Sequence, residues 1–428
     1  MKTARGQIAE SGRRCRRPAR QLTPGQLRPT DVIGSFFLCG IFLALAGTVV
    51  AVANGLHPWP WGRWLALHLL FIGGISQLIL GASQFFAGAF LATDPPPRSL
   101  IRAQLACWNA GSICVAIAVP RGLHDLALFG AGLLVIGLLL YGMGFGSMAR
   151  RALNSAPWAG RWYLMAATFL APGIAAGVAM ANGYAWTHGN LLGAHLALNL
   201  GGWFGGAIVG TLHTFYPSLT RTQLRFPRLQ PPTFVAWGAG VAGLGLGYGF
   251  ALPWLAVVGW VVLGIAGVLL MSNVLGAVAA AVTPLSLPAR LVGLGQFFLV
   301  AGVVVAAASA VDLGPERALV GSTRATVATL LVGGWIGLTV VGSLLHLLAL
   351  LNRVRDLRRT MPVPHPIRDR AIAAAAAASV SGLAVAHLLG GEASTRVAAA
   401  LTICIYVGLG LRVVQLATLA AVRARPRL

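Results

Sequence analysis

Histidine is the residue type in this chain whose placement most strongly suggests chemistry. Five of the nine histidines lie in or near strongly apolar segments, and one of them, His387, is isolated in an alanine-rich stretch. The other four fall at depths that match in pairs: His68 with His195, and His213 with His346. Neutral imidazoles at matched depth on facing helices suit heme iron or copper. The alternative is that each imidazole hydrogen-bonds interfacial water or a backbone carbonyl.

The positions of these histidines along their segments predict two separate sites. His68 and His195 come early in segments that are predicted to run from outside to inside, so they form a predicted outer pair. His213 and His346 come late in such segments and form a predicted inner pair. His195 and His213 are 18 residues apart, which is five α-helical turns on one face and about 27 Å along the axis. The four histidines are therefore candidate cofactor ligands, and His68 and His195 are the candidate metal ligands.

Three further side chains are candidates for orienting a ligand. Asn199 lies one turn after His195, Trp203 lies one turn further, and Gln84 lies further along the same predicted helix as His68. Such groups could hold an imidazole or a bound macrocycle in place. The alternative is that the amides hydrogen-bond between helices and that the indole fills space.

The remaining polar residues exclude several other kinds of chemistry. All nine acidic residues are predicted to lie in tails, loops or at segment edges, so paired carboxylates for acid and base catalysis are missing from the apolar interior. Their absence there also argues against ion-coupled transport. The five cysteines form no C-x-x-C pair and are interpreted as small buried hydrophobes.

The composition predicts the elements that must position these residues. The chain of 428 residues is 57% hydrophobic and only 10% charged, whereas a soluble domain carries about 25% charged residues. A membrane-spanning helix needs about 20 mostly apolar residues, and twelve such segments can be counted if the chain breaks at Leu252-Pro253. The predicted fold is an all-α polytopic membrane bundle of twelve transmembrane helices. The segments start near Ile33, Trp64, Arg102, Leu126, Trp162, Asn190, Phe234, Pro253, Leu291, Thr326, Ala371 and Val397.

The distribution of charge predicts the orientation. The formal net charge is +23 with 32 Lys and Arg, and all but six of them fall on segments that are cytoplasmic if the N-terminus is inside. The exceptions are Arg63, Arg121, Arg317, Arg324, Arg396 and Arg412. By the positive-inside rule both termini are cytoplasmic. We therefore expect a protein of the bacterial cytoplasmic membrane that contacts the lipid bilayer and binds no nucleic acid. Residues 1–30 are predicted to be a disordered basic tail, and residues 31–428 a single transmembrane domain.

Glycine pairs recur along the chain and predict an internal repeat. In each of three segments two glycines are eight residues apart. The segments recur at two nearly equal intervals, and a fixed period indicates repeated structural units. Here the units are three four-helix arcs at about 31–150, 160–285 and 289–422. The glycines are expected to let neighbouring helices approach closely. The pairs are Gly73 and Gly81, Gly202 and Gly210, and Gly334 and Gly342.

Three segments carry a family resemblance. They read RWLALHLLFIGGISQLILGASQFFAGAF from Arg63, RAQLACWNAG from Arg102, and LLGAHLALNLGGWFGGAIVGTLHTFYPSLTRTQL from Leu191. Together with the helix count, they resemble the large subunit of the heme-copper oxidase superfamily. The closer likeness is to an actinobacterial membrane module that is often joined to multicopper-oxidase or copper-nitrite-reductase-like domains.

The resemblance implies the three-arc fold, a heme ligand at His68, a copper ligand at His195, and a multicopper oxidase or cupredoxin-type partner. The chain departs from the family because the seventh segment has no histidine and His346 lies near the wrong end of the tenth. Oxygen or nitric oxide reduction is therefore not expected. The resulting hypothesis is a heme- or copper-binding multipass protein for electron transfer, copper handling or nitrogen-oxide metabolism. The alternatives are a transporter or permease for a small solute or metal, and a membrane scaffold without a cofactor.

Overall fold

A computed structural model describes residues 29–152, 157–356 and 358–422 of the chain. Throughout these ranges the regular structure is helical and no strand occurs, which confirms the all-α fold class. The predicted basic tail lies almost entirely outside the described residues, because the description begins at Pro29, where the first helix starts.

Twelve long helices, named here α1 to α12, make up the described ranges, and short 3-10 turns occupy Pro227–Leu229 and Pro315–Leu319. Three of the long helices have a π-helical segment between two α-helical segments. Each is described here as one helix, from the first residue of its first segment to the last residue of its third. The helices are α1 Pro29–Leu56, α2 62–90, α3 Arg98–Arg121, α4 His124–Arg150, α5 Pro157–Ala181, α6 Leu191–Thr220, α7 Gln230–Gly249, α8 Pro253–Ala279, α9 Leu287–Leu313, α10 321–355, α11 Pro366–Leu389 and α12 Glu392–Val422.

Eleven of these helices are long and apolar enough to cross a membrane. The exception is α7, whose 20 residues begin with the polar run Gln-Pro-Pro-Thr and include six glycines. Helix α7 nevertheless packs tightly on α8, since a methyl group added at Gly240 would lie 2.9 Å from the Leu263 nitrogen. The predicted break at Leu252-Pro253 is confirmed, because α8 begins at Pro253. The described structure thus supports a helical multipass membrane protein with eleven candidate spans.

Each of the three helices that carry a glycine pair contains a π-helical segment. The segments are Leu69–Ile75 in α2, Ala197–Gly205 in α6 and Thr329–Gly337 in α10. A π segment changes the number of residues per turn, so it rotates everything that follows it around the helix axis. The predicted relation between His195 and His213 is therefore wrong, because the five-turn spacing applies to an uninterrupted α-helix.

Carbonyl groups inside the three π segments accept hydrogen bonds from side chains of other helices. The indole N–H groups of Trp108 and Trp237 donate to the carbonyls of Ile72 and Gly201, each at 2.9 Å. The Tyr406 hydroxyl donates to the carbonyl of Gly333. The three acceptors recur at the same two intervals as the glycine pairs. Buried carbonyls within a membrane need such partners, and these bonds fix α3, α7 and α12 against the π segments.

The first glycine of each pair lies against the helix that precedes it in the chain. A methyl group added at Gly73 would come within 3.0 Å of Leu43 on α1. The corresponding distances are 2.4 Å from Gly202 to Phe169 on α5 and 2.4 Å from Gly334 to Phe298 on α9. Helix pairs α1–α2, α5–α6 and α9–α10 therefore approach each other closely because these positions have no side chain.

Candidate metal site at a histidine pair

His68 and His195 lie together at one end of the bundle, which is named here the histidine end. His68 is the last residue before the π segment of α2, and His195 is two residues before that of α6. Their ring centres are 6.5 Å apart and the ring planes differ by only 24°. The two side chains that the sequence singled out as metal ligands therefore face each other, although they come from distant parts of the chain.

Backbone carbonyls determine which nitrogen of each ring is available. His68 Nδ1 lies 2.7 Å from the carbonyl oxygen of Trp64, and His195 Nδ1 lies 2.9 Å from that of Gly173. A carbonyl oxygen can only accept, so these bonds place the proton on Nδ1 in both rings. The Nε2 atom of each ring then carries the lone pair, which is the arrangement that a metal-binding histidine requires.

Two tryptophans fix the orientation of the His68 ring. The Trp64 indole stacks on it with ring centres 3.9 Å apart and planes 22° apart. Trp61 meets Trp64 edge to face at 6.0 Å and is about half exposed (49%). A continuous column of aromatic rings therefore leads from the surface of the histidine end to His68.

Two glycines of α5 make room for His195 and its neighbour. A methyl group added at Gly177 would lie 2.9 Å from Cε1 of His195, and one at Gly173 would lie 2.6 Å from Nδ2 of Asn199. Asn199 Nδ2 donates to the His195 carbonyl at 2.7 Å and lies 3.2 Å from His195 Nδ1. The structure thus places Asn199 beside the imidazole, where the sequence predicted it. Trp64, Gly173 and Gly177 were not predicted, and the one-turn spacing of the two glycines was the available signal.

Replacing Gly177 with alanine is expected to weaken metal binding at this site by roughly 10-fold, because groups that orient a ligand are worth about 10–100-fold in affinity. The added methyl group would displace the His195 ring while leaving its chemistry intact. The measurement is a competitive Cu(I) titration of the purified protein. Gly142→Ala on α4 is the matched control, since nothing lies within 4 Å of the methyl group that it adds. Equal affinities for both variants would show that α5 does not position His195.

Trp203 and Gln84 make their contacts elsewhere. Trp203 donates from its indole nitrogen to Ser76 Oγ at 2.9 Å and packs against Trp108 and Tyr141. Gln84 Nε2 donates to the Leu80 carbonyl at 2.9 Å and to Gln104 Oε1 at 3.2 Å. Both side chains therefore connect neighbouring helices. For Gln84 this is the alternative that the sequence left open, whereas the indole of Trp203 was expected in that alternative only to fill space and here also donates a hydrogen bond.

The rings of His213 and His346 do not stack on one another. His213 is almost completely buried (1% exposed), lies 5.7 Å from the Trp162 ring, and has its Nδ1 2.8 Å from the Val209 carbonyl. The ring partner of His346 is Phe215, which it meets edge to face at 5.7 Å. The geometry therefore gives no support to a shared inner site, and the two residues remain candidate ligands from the sequence alone.

The separation of the two ring centres can be compared with the span of a single bridging ion. An ion bonded to two ring nitrogens at about 2.0 Å each would separate the ring centres by roughly 6 Å, close to the observed 6.5 Å. Within the described ranges no group of three or more His, Cys, Asp or Glu could hold a metal. The donor set is therefore two neutral imidazoles, without a carboxylate or thiolate.

A heme between the same two rings would need space along both helices. A macrocycle held edge-on between α2 and α6 would extend beyond one helical turn, about 5.4 Å, in both directions. One turn below His68, Phe71 of α2 meets Phe204 of α6 with ring centres 4.9 Å apart. That contact lies in the direction in which the macrocycle would extend, so the packing favours a single ion over a heme.

Comparison with known proteins adds no assignment. No protein-family model matches the chain, and no curated protein matches its sequence.

Proposed function

We propose that this multipass membrane protein handles copper and holds one Cu(I) ion between Nε2 of His68 and Nε2 of His195. The observation that carries the proposal is the facing pair of imidazoles, each with its Nδ1 engaged by a backbone carbonyl. Both rings are held in the tautomer and orientation that a ligand needs, although they come from different helices. The carbonyl contact alone does not distinguish a ligand, since His213 makes one too, and the support comes from two such rings facing each other from different helices.

The donor set favours Cu(I) over other common ions. Zinc sites take three or four protein ligands, whereas monovalent copper with its filled d shell accepts two nitrogen donors in a line. No acidic side chain of the described residues is grouped with the pair. Burying a charge in an apolar environment is costly without compensation, so a monovalent ion is favoured over a divalent one. When bound, copper could supply one-electron chemistry or be passed on as cargo.

The sidedness of the site follows from the charge distribution. With both termini in the cytoplasm, as the positive-inside rule predicts, the histidine end faces the outside of the cytoplasmic membrane. The exposed Trp61 and the aromatic column beneath it then lie where an external copper protein would approach. This placement supports the multicopper oxidase or cupredoxin-type partner that the family resemblance implies.

We also propose that the bundle consists of three arcs, α1–α4, α5–α8 and α9–α12. Three features support this arrangement because each recurs in α2, α6 and α10: the π segment, the glycine packed on the preceding helix, and the carbonyl that accepts a side-chain hydrogen bond. In this arrangement α7 is the third helix of the second arc and crosses the membrane despite its low hydropathy. The hydrogen bond from the Trp237 indole to the Gly201 carbonyl holds α7 against α6.

The test is a Cu(I) titration of the full chain purified in detergent from cells grown with copper and with a heme precursor. The proposal predicts one tightly held Cu(I) per chain by competition with a chromophoric chelator, and no Soret band in the absorption spectrum. A stoichiometric Soret band would contradict the choice of copper over heme. Protein that retains no copper and takes up none in the titration would refute a metal site at the pair altogether.

A further inference from the structure

A cavity lies between the three helices that carry the π segments. Its volume is about 80 Å³, and its walls come mainly from α2, α6 and α10, with Phe37 of α1 and Tyr163 of α5 completing them. Lining residues of the three helices occupy equivalent positions, because they recur at the two intervals of the internal repeat. Two such sets are Ile79, Ile208 and Val340, and Ala82, Thr211 and Ser343.

Aromatic contacts bound the cavity along the bundle axis. On the side of the histidine end, Phe71 and Phe204 meet at 4.9 Å, between the histidine pair and the cavity walls. At the opposite side, Phe86 and Phe215 meet at 5.6 Å and themselves contribute to the wall. The cavity is therefore separate from the proposed copper site, since Ile75, the wall residue of α2 nearest to His68, lies two helical turns or roughly 10 Å beyond it.

Four hydroxyl groups in the wall, those of Thr211, Tyr163, Ser83 and Thr339, have hydrogen-bond partners, and the Ser343 hydroxyl is the one without a partner among the described residues. Thr211 Oγ1 donates to the Ala207 carbonyl at 2.7 Å and lies 2.7 Å from the Tyr163 hydroxyl. Ser83 Oγ accepts from Tyr141 at 2.9 Å and donates to the Leu80 carbonyl at 3.3 Å. A buried water needs about two to four polar partners, which a single free hydroxyl does not supply, and apolar cavities of this kind stay dry and take up apolar guests such as xenon.

The size and packing around the cavity identify the class of guest. A cavity of about 150 Å³ accommodates benzene or xenon, so about 80 Å³ suits a molecule of a few atoms and excludes a lipid chain. Helices α9–α12 pack on α5–α8, but in the described part of the chain they make no extensive contact with α1–α4. The cavity is partly open rather than fully enclosed, so a small guest can enter it.

We infer that the cavity binds a small apolar molecule dissolved in the membrane, of the class of the diatomic or noble gases. This inference is independent of the proposed copper function, because it rests on the cavity alone. Binding of this kind is dominated by the fit of an apolar guest to a preformed apolar space.

Xenon is the probe for the test, applied to the full chain in lipid nanodiscs and followed by 129Xe NMR. Wild-type protein is expected to show a saturable xenon shift. Ala82→Phe fills the cavity from α2 and is expected to weaken xenon binding at least 10-fold. Ala89→Phe, two turns further along α2 at an exposed position, is the matched control and should bind xenon as the wild type does.

A second variant, Ser343→Phe, fills the cavity from α10 and keeps the test valid if Ala82→Phe does not fold. The copper stoichiometry of each variant should stay at one per chain, because the histidine pair lies outside the cavity. Wild-type protein without a saturable xenon signal would overturn the inference. Unchanged xenon binding in a folded Ala82→Phe or Ser343→Phe variant would overturn it equally.

Discussion

Replacing His195 with alanine is expected to lower the affinity for Cu(I) by at least 100-fold. The remaining imidazole of His68 would be a single donor, and the described residues offer no acidic or cysteine group to replace the lost one. His68→Ala is expected to have an effect of the same size, because the two rings contribute equivalent donors across 6.5 Å. The measurement is a competitive titration at fixed pH with a chromophoric Cu(I) chelator.

The double variant separates a shared site from two independent ones. If one ion bridges the rings, removing the second histidine costs little more than removing the first, since residues that act together are not additive. His387→Ala is the matched control, because this histidine lies on α11 and is not part of either predicted pair. A bridging ion would be contradicted if the loss of Cu(I) binding free energy in the double variant equalled the sum of the losses in the two single variants. A normal Cu(I) affinity in His195→Ala would contradict it too.

Replacing Gly202 with valine is expected to cause a large loss of stability. The first side-chain carbon alone would lie 2.4 Å from Cβ of Phe169, so α5 and α6 would have to move apart. Overpacking of this kind costs about 1–3 kcal/mol or more, and the displaced α5 also carries Gly173 and Gly177. We expect a thermal midpoint several degrees lower and weaker copper binding together.

Gly132→Val on α4 is the control for that experiment, since nothing lies within 4 Å of a methyl group at this position. Both variants introduce the same β-branched residue into a helix, so the difference between them isolates the close helix contact. Thermal unfolding in detergent, followed by the fluorescence of the buried tryptophans, measures both. Equal midpoints for the two variants would show that the α5–α6 interface adapts without cost.

The helices could be predicted from the sequence because a membrane-spanning segment is defined by local composition. Helix α7 shows the limit of that signal, since six glycines lower its hydropathy although the structure makes it helical over 20 residues. The glycine pairs predicted close helix approach, and Gly202 against Phe169 shows such an approach. The π segments were not predictable, because a π turn depends on partners for its carbonyls that come from distant helices, such as Trp108 and Trp237.

The histidines show why depth alone does not define a site. His68 and His195 meet because each comes before a π segment, so the α-helical start of each helix sets their direction. His213 follows the π segment of α6, which rotates it away from the face that its spacing from His195 predicted. There it stacks on Trp162, while His346 meets Phe215. Matched depth therefore predicted the pairing of His68 with His195, which the structure contains, and the pairing of His213 with His346, for which it shows no ring contact.

The most direct measurement is X-ray absorption at the copper K edge on the Cu(I)-loaded full chain. A Cu(I) ion shared by the histidine pair predicts two nitrogen neighbours at about 2.0 Å, with the outer scattering typical of imidazole. This signature should be lost in both His68→Ala and His195→Ala. Sulfur neighbours, four-coordinate copper, or an unchanged spectrum in either variant would contradict a Cu(I) site between these two rings.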